Sequence, residues 1–189
     1  MKKRRAKKVA PPEGRKSSWI KHDDVINANR ELNILHSLKG YTPPFSVLRN
    51  YHIIDSGSDP EATIVVQAGG REIHEAATGV GPVDALANTL KKALKPVFPF
   101  IDEVRLIDFS ARIHESWSGT KASVEVTLLL SDGIDVWKVS ELSQNINQAS
   151  FQALAEGYEF AIVHRKKREE GNKVLKVLTK GASRTRTGH

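Results

Sequence analysis

One order of local patterns occurs twice in this chain, offset by about sixty residues, and it restricts the fold more than any other feature. In the first copy, Phe45 to Ile54 reads as a strand that Gly57, Asp59 and Pro60 close. The β-branched run Thr63-Ile64-Val65-Val66 then meets a Gly69-Gly70 turn, and Glu72 to Ala77 forms the next strand. Gly79-Val80-Gly81-Pro82 opens a helix. In the second copy, Val104 to Ile113 is the leading strand. Val124 to Leu128 meets an Asp132-Gly133 hairpin signal, and Asp135 to Val139 returns. Ser143-Gln144-Asn145 then caps a helix. The order is βββα twice. It predicts an α+β fold of mostly antiparallel sheets packed on helices.

Side-chain periodicity supports the pattern. Val124, Val126, Leu128 and Leu130 alternate with polar residues, which gives that strand one buried face. In Val104–Ile113 the alternation slips between Leu106 and Ile107, so a bulge is expected there. The second helix carries two apolar stripes. One is Ile146, Ala149, Ala153, Gly157 and Phe160; the other is Phe151, Leu154, Tyr158 and Ile162. Two stripes demand two contact surfaces, and one of them is expected to lie in a dimer. Ahead of the repeats, Asp23 to Leu38 reads as a helix capped by Asp23 or Asp24 and ended at Gly40. Pro43-Pro44 forces an extended entry into the first strand.

The charge is divided along the chain. The net +7 consists of +7 in residues 1–16, +7 in 164–189 and −7 in the body between them. A fold that reads nucleic acid normally carries its positive patch on the folded face, and here that face is acidic. Nucleic acid is therefore not the expected partner, although the tails would support weak, salt-sensitive binding. Residues 1–18 are expected to be a disordered basic tail, 19–42 a helical linker, 43–165 the double βββα domain and 166–189 a basic C-terminal tail broken by Gly171. With no cysteine, the chain lacks a disulfide scaffold, a thiolate-ligated metal and a thiol nucleophile. No apolar run approaches a membrane span, so no membrane partner is expected, and a cytoplasmic location is.

The residues offer little catalytic chemistry. The seven histidines form no His-x-His or His-x₃-His pair, and they read as partly exposed surface groups. Asp102, Glu103 and Asp108 alternate with Val104, Leu106 and Phe109, which is the pattern of a solvated face. No catalytic residue, metal site or cofactor is expected. Gly79-Val80-Gly81-Pro82 is the sharper feature. Its glycines leave backbone N–H groups uncovered at a helix start, where an anion such as a carboxylate is favoured. It is neither a dinucleotide fingerprint, because Asp84 stands at the third glycine position, nor a phosphate-binding Walker loop. Val83, Leu86, Ala87, Leu90 and Leu94 follow at helical spacing. They read as a core stripe against the sheet; the sharper alternative is that the first turn of this stripe lines a small apolar pocket beside the anion-binding turn. A branched-chain amino acid has the matching shape, with its carboxylate at the N–H groups and its aliphatic tail on Val83, Leu86 and Leu90.

Several segments occur in an order that resembles a known family. They are Glu61-Ala62-Thr63, Gly79-Val80-Gly81-Pro82-Val83-Asp84-Ala85-Leu86, Gly119-Thr120-Lys121-Ala122, Trp137, and Asn145-Ile146-Asn147-Gln148-Ala149-Ser150 with Ala153-Leu154. The chain from about 43 to 165 resembles the C-terminal allosteric domain of the 2-isopropylmalate and citramalate synthase family. The resemblance implies a dimer that binds leucine or isoleucine for feedback control of branched-chain amino-acid synthesis. It places Gly79, Gly81, Pro82, Val83, Leu86 and Leu90 at or beside the effector, with Gln67 and Ala68 as further contacts. Asp84 either holds the ammonium group or complements the helix dipole. Two residues depart from the family pattern: Val80 stands where Asn is usual, and Glu141 where a glycine is usual. The family's catalytic barrel takes some 250 residues, for which this chain has no room, so it is expected either to regulate a separate synthase chain or to have taken another role. Two other readings stay open: a structural dimerisation module whose pocket is lost, and a nucleic-acid-associated protein using its basic tails.

Overall fold

The computed structural model describes residues 25–55, 57–114 and 122–184, with side chains described through Lys173. The expected 1–18 tail, the Asp23 and Asp24 caps, Gly119-Thr120-Lys121 and the last five residues lie outside them. The elements are β1 (Val25–Asn27), α1 (Ala28–Ser37), β2 (Phe45–Ile54), β3 (Glu61–Ala68), β4 (Arg71–Thr78) and α2 (Pro82–Leu94). A 3-10 turn at Pro99–Glu103 then leads to β5 (Arg105–Ile113), β6 (Val124–Ser131), β7 (Val136–Ser143) and α3 (Ile146–Arg184). The double βββα order is present.

β2, β3 and β4 form one antiparallel sheet, and β5, β6 and β7 form the other. Ala62, Ile64, Val66 and Ala68 turn one face of β3 inward, and α2 covers it with Ala85, Leu86, Leu90, Ala93 and Leu94. Val126, Leu128 and Leu130 do the same for β6, and α3 covers them. The two helices also touch each other, so a single apolar core runs through both repeats. The bulge expected in β5 is present, between Leu106 and Asp108.

Three local expectations are corrected. The first helix begins at Ala28 rather than near Asp23. Asn27 caps it, its side chain accepting the Arg30 N–H at 3.2 Å. Val25 and Ile26, apolar and β-branched, instead pair in parallel with Val136 and Trp137 at the free edge of β7. Gly171 does not break the last helix, which continues to Arg184. Finally, Phe151, Leu154, Tyr158 and Ile162 are buried within this chain, as are Ala149, Ala153 and Phe160. α3 meets the β6–β7 face on one side and α2 on the other, so both stripes are buried within the chain except for Ile146, which is exposed. They give no evidence for a dimer surface.

Glu141 and Val80 carry no strain from replacing other residues. Among the described residues every positive φ belongs to a glycine. No helix among them is long and apolar enough to cross a membrane.

Candidate functional site

The Gly79–Pro82 turn joins β4 to α2. The Gly79 N–H donates to Pro60 O at 3.0 Å, which ties the turn to the start of β3. A Cβ on Gly79 would lie 2.3 Å from the Ala85 backbone nitrogen, so only glycine fits against the first turn of α2. Gly81 is different. Its φ of −160° is ordinary extended backbone, and a Cβ there would meet nothing within 4 Å. Pro82 occupies the first helical position, where its missing N–H costs nothing.

Asp84 answers the alternative left by the sequence in part. Its Oδ2 accepts the Val80 N–H at 3.0 Å and the Asn88 side-chain amide at 3.4 Å. The same Asn88 amide donates to Thr78 O at 3.0 Å. The carboxylate thus acts as a helix-start charge that reaches back over the turn. It also acts on Tyr158: burial, followed by the Asp84 charge, pushes that phenol well above its usual value. The Val83 and Asp84 amides lie in the first helical turn, where no intrahelical carbonyl can reach them.

The structure brings Gly79, Gly81, Pro82, Val83 and Asp84 to one place. Leu86 and Leu90 lie behind them on α2, fully buried in the core rather than lining an open wall. Gln67 and Ala68 are at the other end of β3. Glu61 pairs with Thr78 beside the turn, whereas Ala68 pairs with Arg71 at the opposite hairpin. Seven strand steps separate them from the turn, a distance of about 20 Å. The residue beside the turn is Pro60, just before β3. Thr78 and Asn88 also border the turn; the sequence signal for Asn88 is its place four residues after Asp84, one helical turn on.

Two surface concavities lie elsewhere. One of about 670 Å³ occupies the β5–β7 face away from α3, where Asp108, Arg112, Glu125 and Lys138 supply both signs of charge. The other, of about 250 Å³, lies between β2 and α3 beside Arg49, Gln148 and Gln152. The tilted Tyr51 and Phe151 rings, 5.0 Å apart, form part of its wall.

The comparisons with known proteins agree with this architecture. Residues 32–162 match the model of the LeuA allosteric (dimerisation) domain. The (R)-citramalate synthase of Geobacter sulfurreducens is 36% identical over 152 residues, covering 77% of this chain and 28% of that protein. The Aquifex aeolicus (R)-citramalate synthase is 37% identical over 117 residues, covering 62% of this chain and 22% of its own length. That of Synechocystis is 40% identical over 101 residues, covering 53% and 18%. The chain therefore corresponds to less than a third of each of these relatives. The match spans both βββα units and most of the core, and the chain belongs to the LeuA allosteric (dimerisation) domain family.

Proposed function

We propose that this domain is a regulatory and dimerisation module that binds a branched-chain amino acid, leucine or isoleucine, at the Gly79–Asp84 turn. Occupancy of the turn controls a catalytic unit of the citramalate synthase type, in feedback on branched-chain amino-acid synthesis. The observation that carries this reading is Gly81. Nothing in the chain's own packing or backbone angles requires glycine there, and a side chain would point into open space. Its bareness serves whatever approaches the helix start. A carboxylate suits the uncovered amides of Val83 and Asp84, and the half-buried Val83 offers an aliphatic contact. The second copy of a homodimer closes the open side, because Leu86 and Leu90 are already enclosed by the core.

One observation favours a second reading, a dimerisation module with a lost pocket. Asp84 already occupies the Val80 N–H, so part of the turn is satisfied from within. Isothermal titration with leucine, isoleucine and valine separates the two. The first reading expects saturable heat with one of them, weakened at least about tenfold in Gly81→Val with an unchanged melting temperature. No heat with any of the three supports the second reading. Binding that Gly81→Val leaves intact moves the site away from this turn.

A further inference from the structure

The β1–α1 segment is attached to the repeats by a few apolar contacts, with Ile26 and Leu35 packed against the core, and by a polar seam. Only Ala28 and Leu32 of α1 are fully buried. Asn29 extends the short β1–β7 ladder with its side chain, accepting the Ser140 N–H at 2.7 Å and donating to Ser140 O at 3.2 Å. The same amide donates to Glu156 Oε2 on α3 at 2.8 Å and to Glu141 Oε1 on β7 at 3.3 Å. Both carboxyls thus converge on one amide nitrogen, which has only two hydrogens for the three oxygens around it. Two carboxyls in that arrangement need a proton between them.

From α1, His36 Nε2 stands 2.7 Å from Glu159 Oε1, and Glu31 faces Lys167 of α3 at 4.0 Å. Just after α1, the Tyr41 hydroxyl donates to the same Glu159 oxygen at 2.7 Å. Glu159 is one turn beyond Glu156, so its charge adds to that of Glu141. Three carboxyls on β7 and α3 therefore face α1, with His36 as the opposing cation when protonated.

We propose that β1–α1 is a proton-controlled strap: it stays docked while Glu141 and Glu156, which converge on Asn29, share a proton, and it loosens when they lose it. Burial and then the Glu141 charge raise the Glu156 carboxyl to about 7, and burial raises Glu141 as well. Docking covers the pair, so the docked state holds a proton that the undocked state, with both carboxyls open to water, releases more readily. Docking is favoured at low pH, weakens as pH rises from the usual carboxylate range to about 7, and levels off above that. Release uncovers the β7 edge that β1 occupies.

Hydrogen exchange of the full chain, read by mass spectrometry at pH 5 and pH 8 and corrected for intrinsic rates, tests this. The expected result is at least about tenfold more opening of the 28–37 amides at pH 8, with β3 and α2 unchanged as internal references. Glu156→Gln keeps the donor and cannot ionise, so its α1 protection stays flat across this range. Glu141→Gln removes the repelling charge but leaves Glu156 covered, so it weakens the dependence without abolishing it. The proposal is overturned if wild-type protection of α1 does not change with pH, or if both Gln variants keep the wild-type dependence. It is also overturned if His36→Gln alone abolishes that dependence, which would make the His36–Glu159 pair the switch.

Discussion

Gly79 and Ala85 stand so close that a Cβ on Gly79 would lie 2.3 Å from the Ala85 backbone nitrogen. Backbone atoms at a helix start cannot retreat as a flexible side chain would. Gly79→Ala is expected to cost about 3 kcal/mol or more, because the strand-to-helix turn must open to admit the methyl group. Gly81→Ala, two residues on, meets no atom within 4 Å and is expected to stay within about 0.5 kcal/mol of the wild type. Urea denaturation of both variants measures the difference. Equal costs would refute the division of the turn into one glycine held by packing and one left open.

Thr89 joins α2 to the sheet beneath it. Its hydroxyl is fully buried and lies 2.6 Å from Ala85 O and 3.1 Å from Ala62 O. Thr89→Val preserves the shape and removes the donor, with an expected loss of about 1–2 kcal/mol. Thr89→Ala adds a small cavity to that loss. A melting temperature unchanged in Thr89→Val would mean that the hydroxyl contributes nothing to the docking of α2.

Most of the fold is legible in the sequence because strand alternation and turn residues are local signals. The slip in the β5 pattern at Leu106–Ile107 locates the bulge because one extra residue inverts every later side chain. The true start of α1 is not local information. Asp23 and Asp24 look like caps, but a vacant β7 edge captures Val25–Asn27, and only the folded sheet reveals that edge. Gly171 reads as a break, yet a single glycine costs a helix only about 1 kcal/mol, and the helix continues. The two stripes of α3 also illustrate the limit: sequence counts contact surfaces but cannot tell whether they lie within one chain or between two. At the candidate site, Gly79 to Asp84 are contiguous and therefore stay together. Gln67 and Ala68 depend on which end of β3 faces the turn, and the hairpin register sets that.

Trp137 on β7 donates its indole N–H to Gly157 O on α3 at 3.1 Å, and its ring lies 5.6 Å from that of Phe160. Trp137→Phe removes the donor and leaves unfilled space in a fully buried position. The expected cost is about 2–3 kcal/mol from the lost hydrogen bond and the cavity together. At Gly157 itself, a Cβ would press on Leu130 Cδ1 at 2.9 Å, a side chain buried but rotatable. Gly157→Ala is therefore expected to cost about 1–3 kcal/mol, the range for overpacking. Both values are read from chemical denaturation. A neutral Gly157→Ala would show that Leu130 has room to turn.

Arg168 clamps α3 to the β6–β7 hairpin, with Nη2 on Asp132 and Nη1 on Asp135, each at 2.7 Å. Burial alone would raise the Asp132 carboxyl. Hydrogen bonds from the Asp135 N–H, Arg168 and the Ile134 N–H outweigh it and hold the group below its ordinary value. The folded state therefore favours the charged form. Its contribution is present above the usual carboxylate range and is lost as pH falls through the lowered value. Melting temperatures of the wild type, Asp132→Asn and Arg168→Ala between pH 2.5 and 6 are expected to differ most at pH 6 and to converge on acidification. The Arg168 variant should also raise hydrogen exchange in α3 beyond residue 165 without affecting α2. A constant gap between Asp132→Asn and the wild type down to pH 2.5 would show that the hairpin contact stabilises through packing rather than charge.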